Sequence, residues 1–262
     1  MKKNKIQSSN QSSPFSPPPG FSDKRTNEVQ EGAENGMRFS KYQIATAIAI
    51  LFHAIGFLGI AVFKNNFIIQ STAFNLLLMI ALLIWTQSEK NYFFWLFLLI
   101  TIAVGIAVEI IGVNTKLLFG DYSYFNVLGF KIKNVPLIIG VNWFIIIYCC
   151  GISVNTLLVK AIDKVAVETA TPPMRLKALS VIVDGATLAV FFDWLMEPVA
   201  VQLGYWKWNG EIPFYNYLCW FIVSVVLLTI FHFFKFNKQN KFAVHLLMIQ
   251  VLFFLLLRTF LN

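Results

Sequence analysis

The chain has 262 residues, of which 57% are hydrophobic and only 13% are charged, and its mean hydropathy is +0.66. A soluble domain of this size cannot bury so much apolar surface, so the composition excludes an ordinary soluble fold and indicates a protein of the lipid bilayer. The net charge of +8 does not indicate nucleic-acid binding, because the basic residues lie between apolar stretches, where they flank membrane helices.

Residues 1–40 are predicted to form a disordered polar tail. They are rich in Ser, Asn, Pro and Lys, and they include the proline-rich run 13–20. Such a segment cannot bury enough apolar area to offset the entropy that ordering would cost. We therefore predict two regions, the tail and a transmembrane helical domain over 41–262.

Seven apolar stretches separated by short polar gaps follow the tail. They lie near 42–63, 67–86, 92–113, 136–159, 176–200, 217–236 and 242–260. Each is close to the ~20 residues that a helix needs to cross about 30 Å of hydrocarbon. The predicted fold is all-α, a polytopic transmembrane helical bundle of about seven spans. The half-polar tracts 114–135 and 201–216 are predicted to be re-entrant or interfacial loops.

The distribution of Lys and Arg predicts the orientation of this bundle. With the N-terminus inside, 15 basic residues lie on the inner side and 6 on the outer side. Because basic loops stay in the cytoplasm, we expect a multi-pass protein of the cell (inner) membrane, with a cytoplasmic N-terminus and a C-terminus outside.

Carboxylates inside the predicted spans are the first candidates for function, because a charge within a membrane is costly. Span five carries Asp193 and Glu197, which are four residues apart and therefore share one helix face. Pro198 has no backbone donor for the carbonyl of Trp194, so the helix is expected to open locally beside the two acids.

Span three repeats this arrangement with Glu109, which has Gly105 and Gly112 on its face. Spans three and five both run outward in the predicted topology, so their acids are expected at one level, with Asp121 close by. Acids from separate helices at one depth indicate a single polar pocket. The alternative is that each acid is a neutral or hydrogen-bonded contact between helices, and Arg258 near the outer end is a candidate counter-ion.

The sequence predicts no metal site and no cofactor. The three histidines, His53, His232 and His245, lack the spacing of metal ligands and are interpreted as core residues. No glycine-rich motif for a dinucleotide or a phosphate is present, and no paired Asp-rich motif for a Mg²⁺–diphosphate. Aromatic residues of the outer loops, by contrast, are suited to line a cavity for a long polyene or to stabilise a carbocation.

Several motifs in the same order resemble those of the carotenoid biosynthesis protein family. They are EIIGVNT at 109–115, FGDYSY at 119–124, VPLIIGVNW at 135–143, DWLMEPVA at 193–200, GYWKW at 204–208 and IPFYN at 212–216. This family includes the bisanhydrobacterioruberin hydratases of haloarchaea and the CruF-type carotenoid 1,2-hydratases of bacteria. The resemblance covers about 42–260 and is strongest over 105–220.

The resemblance implies a hydratase that adds water across the terminal 1,2 double bond of an acyclic carotenoid end group. We expect Asp193 and Glu197 to be the acid/base pair, with Glu109 and Asp121 stabilising the cation or activating water. The residues expected to bind the lipophilic carotenoid are Asn114, Tyr122, Tyr124, Asn142, Trp143, Trp206 and Asn216. Other enzymes of the carotenoid pathway are candidate partners.

Two other functions remain open at this stage. A carotenoid end-group cyclase would begin with the same protonation but would exclude water. A proton-coupled membrane transporter would use the acids as a proton relay, although the sequence has no clear inverted repeat of the kind that many transporters show.

Overall fold

A computed structural model describes residues 39–169 and 174–261, with side chains described for 39–157 and 177–261. The predicted tail, apart from its last two residues, lies outside the described residues. Within those ranges the chain forms eight α-helices, which confirms the predicted all-α polytopic helical bundle. The helices are α1 (Lys41–Phe57, continued by a π-helical segment at Leu58–Val62), α2 (Asn66–Gln70), α3 (Thr72–Thr86), α4 (Tyr92–Thr115), α5 (Ile138–Thr169), α6 (Met174–Gln202), α7 (Phe214–Phe233) and α8 (Lys241–Leu261).

Six of these helices are long and apolar enough to cross a membrane, namely all except α2 and α3. The second predicted span, 67–86, thus consists of two helices instead of one. Ser71 separates them, and its hydroxyl donates to the carbonyl of Ile68 at 2.8 Å. A side-chain bond of this kind competes with regular helix geometry. The remaining helix, α3, has 15 residues and is about 22 Å long.

Contacts between loops define one end of the bundle, which we call the first end. Gln87, just after α3, donates to the carbonyl of Asn237 at 2.7 Å, and Asn91, just before α4, donates to that of Lys235 at 2.8 Å. Lys241 at the start of α8 lies over the ring of Tyr42 at the start of α1. α1, α4 and α8 therefore begin at the first end, and α3 and α7 finish there.

The opposite end, which we call the second end, joins the other termini of these helices. Thr72 at the start of α3 and Tyr205 just after α6 share a hydrogen bond of 2.6 Å. Near the same end, the rings of Phe57 in α1 and Phe260 in α8 are 5.4 Å apart. From Lys41 to Leu261 the described chain thus crosses the bundle seven times, with α2 and α3 together making the second crossing.

The two predicted loop tracts contain short strands at the second end. They are β1 (Tyr122–Tyr124), β2 (Lys131–Ile132), β3 (Val135–Pro136) and β4 (Trp206–Trp208). β1 pairs antiparallel with β4, and β2 with β3. The β1–β4 pair, which we call the ribbon, joins parts of the chain that are more than eighty residues apart, and it packs against α4 through β1 and against α6 through β4. α5 is the central helix, because 83% of its apolar window is buried, against 22–50% in the other five long helices.

Candidate active site

Glu109, Asp193 and Glu197 lie together beneath the ribbon, and all three are at least 96% buried. They line a cavity of about 20 Å³ between α4, α5, α6, α7 and the ribbon. A cavity of this size has room for about one water molecule. The structure therefore brings together three of the four acids that the sequence singled out.

Glu109 accepts hydrogen bonds from three aromatic side chains. The hydroxyls of Tyr122 and Tyr124 donate to Oε2 at 2.5 and 2.8 Å, and the indole N–H of Trp143 donates to Oε1 at 3.0 Å. Gly105 makes this arrangement possible, because a Cβ there would lie 2.7 Å from Trp143. All three neighbouring groups are hydrogen-bond donors. This suits an ionised carboxylate, because its oxygens can only accept hydrogen bonds.

The two tyrosines of the ribbon remain donors at physiological pH. Burial, followed by the negative charge of Glu109, raises the pKa of Tyr122 and of Tyr124 well above the ordinary value. Both phenols therefore keep their protons, and they fix the position of Glu109 without exchanging protons with it.

Glu197 is held by the opposite strand of the ribbon. The indole N–H of Trp206 donates to its Oε1 at 2.7 Å, and that of Trp208 donates to the same oxygen. Sequence reasoning selected Trp206 but missed Trp208 as a site residue. The alternation of side chains along a strand would have indicated it, because the two residues flanking Lys207 must point to one face.

Asp193 is the least satisfied of the three acids. Its Oδ2 accepts from the side-chain amide of Asn216 at 2.9 Å, whereas its buried Oδ1 has no partner among the described residues. A buried carboxyl oxygen without a partner is costly, and such an atom is often the one that holds a proton or contacts a substrate.

Pro198 leaves the carbonyl of Trp194 without a helical donor, as predicted, although α6 remains helical from Met174 to Gln202. The carbonyl of Trp194, which has no helical donor there, instead accepts from the guanidinium of Arg258 at 3.4 Å. The same guanidinium lies over the Trp194 ring, 4.3 Å from its centroid. Arg258 thus binds the turn of α6 that precedes Pro198, and this contact replaces the predicted role as counter-ion to the acids.

Asp121 and Asn114 lie outside the pocket. Asp121 is on the surface of the second end, 2.6 Å from the amine of Lys116 and 3.0 Å from the amide of Asn209. The bond to Lys116, followed by that to Asn209, lowers the pKa of Asp121. Asn114 is exposed and bonds to the loop before α5, through the carbonyl of Lys133. These contacts indicate structural roles for both residues.

A second cavity, of about 510 Å³, adjoins the acid pocket, and we call it the groove. The two share the residues Ile139, Asn142, Met196 and Trp206, which form the wall between them. Most of the groove is lined by apolar residues of α1, α2, α3 and α8. Sequence reasoning missed it, because such residues have the same pattern as ordinary lipid-facing side chains.

A comparison with known families identifies the chain. A family model described as carotenoid biosynthesis protein matches residues 66–262, which is 197 of the 262 residues. The chain belongs to the carotenoid biosynthesis protein family. The match includes every residue of the acid pocket and starts after α1, whereas the sequence motifs suggested a resemblance from about residue 42. Comparison with curated proteins and with solved structures finds no significant match.

Membership places the chain in carotenoid biosynthesis, and the six long apolar helices agree with a membrane protein. Carotenoids are long, apolar polyenes that reside in lipid. A buried acid pocket beside a large apolar groove is therefore the arrangement in this chain that requires a chemical explanation.

Proposed function

We propose that this protein hydrates the terminal 1,2 double bond of an acyclic carotenoid end group by acid/base catalysis. The observation that carries the proposal is that the pocket of Glu109, Asp193 and Glu197 shares a wall with the apolar groove. A polyene chain in the groove would bring its end group to the acids, where an alkene can be protonated.

The groove is suited to a substrate that arrives from lipid. Phe67 and Phe74 on its rim are 73% and 74% exposed, and Phe52 and Ile55 of α1 are about half exposed. In a chain of this hydropathy such faces contact the bilayer, so the groove opens sideways to lipid rather than to water. A lipophilic carotenoid could then bind without leaving the membrane.

Asp193 is the favoured proton donor, because its free oxygen Oδ1 can carry a proton toward the substrate. Transfer of that proton to carbon 2 of the 1,2 double bond leaves a tertiary carbocation at carbon 1. Glu109, held by three donors, would offset the positive charge, and the stacked indoles of Trp143 and Trp220 would stabilise it through their faces.

Water completes the reaction. Its oxygen bonds to carbon 1, and one of its protons passes to a carboxylate, for which Glu197 is the candidate. Asn142 lies in the wall between groove and pocket and is suited to orient this water. The net change is the addition of one H and one OH, with the carboxyl groups restored after proton exchange.

The test is expression of the chain in cells that accumulate lycopene, in water labelled with ¹⁸O. We expect a tertiary alcohol at carbon 1 whose oxygen carries the label, and we expect it to form without molecular oxygen. An unlabelled alcohol that forms only with molecular oxygen would show an oxygenase, and a cyclic product without oxygen would show a cyclase. Unchanged pigment would leave an acid relay for transport as the better explanation of the pocket.

A further inference from the structure

Three polar side chains interrupt the apolar lining of the groove on the side away from the acids. They are His53 of α1, Asn75 of α3 and Gln250 of α8, which come from three different helices. His53 and Gln250 are each 94% buried. Burying polar groups inside a membrane protein costs free energy unless they form hydrogen bonds with other protein groups or with a ligand.

The hydrogen bonds of this cluster are incomplete among the described residues. The Nδ1 atom of His53 lies 2.8 Å from the carbonyl of Ala49, which can only accept, so Nδ1 carries the ring proton and Nε2 of the neutral ring is an acceptor. The buried amide oxygens of Asn75 and Gln250 have no partner. The cluster therefore has three unused acceptors, and the amide groups also provide donors.

The three residues lie at one depth in the bundle. Counted from the first end at 1.5 Å per residue, His53 is ~18 Å, Asn75 ~16 Å and Gln250 ~14 Å along their helices. Glu109, counted in the same way along α4, is ~25 Å from that end. The polar cluster is thus roughly 10 Å nearer to the first end of the bundle than Glu109 is.

We propose that His53, Asn75 and Gln250 form a hydroxyl-binding subsite, so that the groove accepts an acyclic isoprenoid chain bearing an alcohol. This inference rests on the proposed function, because it assumes that the groove holds an isoprenoid chain. A hydroxyl both donates and accepts, and it fits a cluster with free acceptors and amide donors. A site with such groups discriminates against a ligand that leaves them unpaired.

The experiment compares the binding of farnesol with that of farnesyl methyl ether, which has the same chain but no donor. Binding to the purified full chain in detergent is followed by its tryptophan fluorescence, since Trp206 lines the groove. We expect farnesol to bind about three- to tenfold more tightly than the ether, as one or two hydrogen bonds allow. Geraniol and geranylgeraniol, compared in the same way, identify the chain length that reaches the cluster best.

Two variants test whether the polar cluster is responsible for the preference for the alcohol over the ether. Gln250→Met and Asn75→Leu keep the shape of the side chain and remove its polar group, so each should bring the ratio of the two affinities toward one. Gln70→Met is the matched control, because Gln70 is exposed and does not line the groove, and it should leave the ratio unchanged.

Each other outcome overturns the proposal in a distinguishable way. Equal affinities of alcohol and ether in the unaltered protein would mean that the cluster holds only water. A preference that survives in both variants would mean that another part of the protein recognises the hydroxyl. If neither ligand binds while lycopene is still hydrated in cells, the subsite fails and the hydratase proposal stands. If neither binds and lycopene is unchanged, both fail.

Discussion

Asp193 and Glu197 are one helical turn apart on α6, but their surroundings differ. Glu197 has two indole donors on one oxygen, and Asp193 has one amide donor and a free oxygen. Two buried acids one helical turn apart interact, so that the protonation of one depends on the protonation of the other, and their roles are best tested together.

We predict that Asp193→Asn and Glu197→Gln each lower hydration at least about a hundredfold, the lower range of general acid–base assistance. Both changes conserve shape, so the amount of protein in the membrane should be normal. The double variant should lose little more than either single variant, because residues that act as a unit are not additive. Product is quantified by pigment chromatography.

Asp184→Asn is the control for these variants. Asp184 is also on α6, but it is exposed and bonds to Ser180 instead of the pocket. Its change should have little effect on hydration. Near-normal activity of both pocket variants at normal membrane levels would contradict the proposed mechanism.

The hydrogen-bond donors to Glu109 can be tested by substitution. Tyr124→Phe removes one charge-assisted hydrogen bond and keeps the ring, so it should destabilise the fold by about 1.5–3 kcal/mol. Thermal unfolding in detergent measures this change. Tyr92→Phe makes the same substitution at a side chain that is 72% exposed, and it should have no comparable effect. Equal stability of both variants would show that Glu109 does not depend on Tyr124.

At the scale of elements, the ribbon provides donors to both glutamates. Tyr122 is paired with Trp208 and Tyr124 with Trp206, and their rings are 5.0 and 5.7 Å apart. The tyrosine strand donates to Glu109 and the tryptophan strand to Glu197. Each cross-strand pair therefore links the two acids through ring contacts as well as through the backbone.

Trp208→Phe keeps an aromatic ring in the ribbon and removes one N–H from Glu197. We predict a loss of hydration of about tenfold or more, because one charge-assisted donor contributes roughly 1.5–3 kcal/mol. The measurement is the initial rate of product formation in membranes. Trp95→Phe, at a partly exposed position of α4, is the matched control. Equal rates in the two variants would argue against a role for this donor.

The helices could be predicted from the sequence, whereas the pairing of the ribbon could not. An apolar run of twenty residues predicts a span by itself, and a carboxylate within it predicts a candidate site. β1 and β4 have three residues each, and no local signal shows that Tyr122 lies opposite Trp208. The break at Ser71 was also missed, because the polar run Gln70-Ser71-Thr72 is too short to divide an otherwise apolar stretch into two predicted elements.

The lining of the groove could not be predicted from the sequence either, because it depends on how the helices pack. Phe74 and Asn75 are neighbours on α3, yet only the packing of α1, α3 and α8 shows that both line one cavity. The partnership of Asp193 with Asn216 is different, because both residues came from motifs that were already candidates. The sequence motifs therefore predicted most of the residues of the acid pocket, but few of the residues that line the groove.

At the scale of the whole molecule, seven crossings put Lys41 and Leu261 at opposite ends of the bundle. The excess of Lys and Arg, 15 against 6, predicts that the end at Lys41 faces the cytoplasm. A reporter fused after residue 262 and active only outside the cytoplasm should therefore be active. The same reporter placed before Lys41 should be silent, and the reverse pattern would contradict this orientation.

The pairing of the ribbon restricts where residues can be inserted into the chain. Side chains alternate along a strand, so one residue inserted just before Trp206 would turn both indoles outward and put Lys207 next to Glu197. Inserted residues at the turn that includes Gly210 would leave the strand pairing intact. Relatives with the same chemistry should therefore keep the spacing within Tyr-x-Tyr and Trp-x-Trp, while the turns that flank them vary in length.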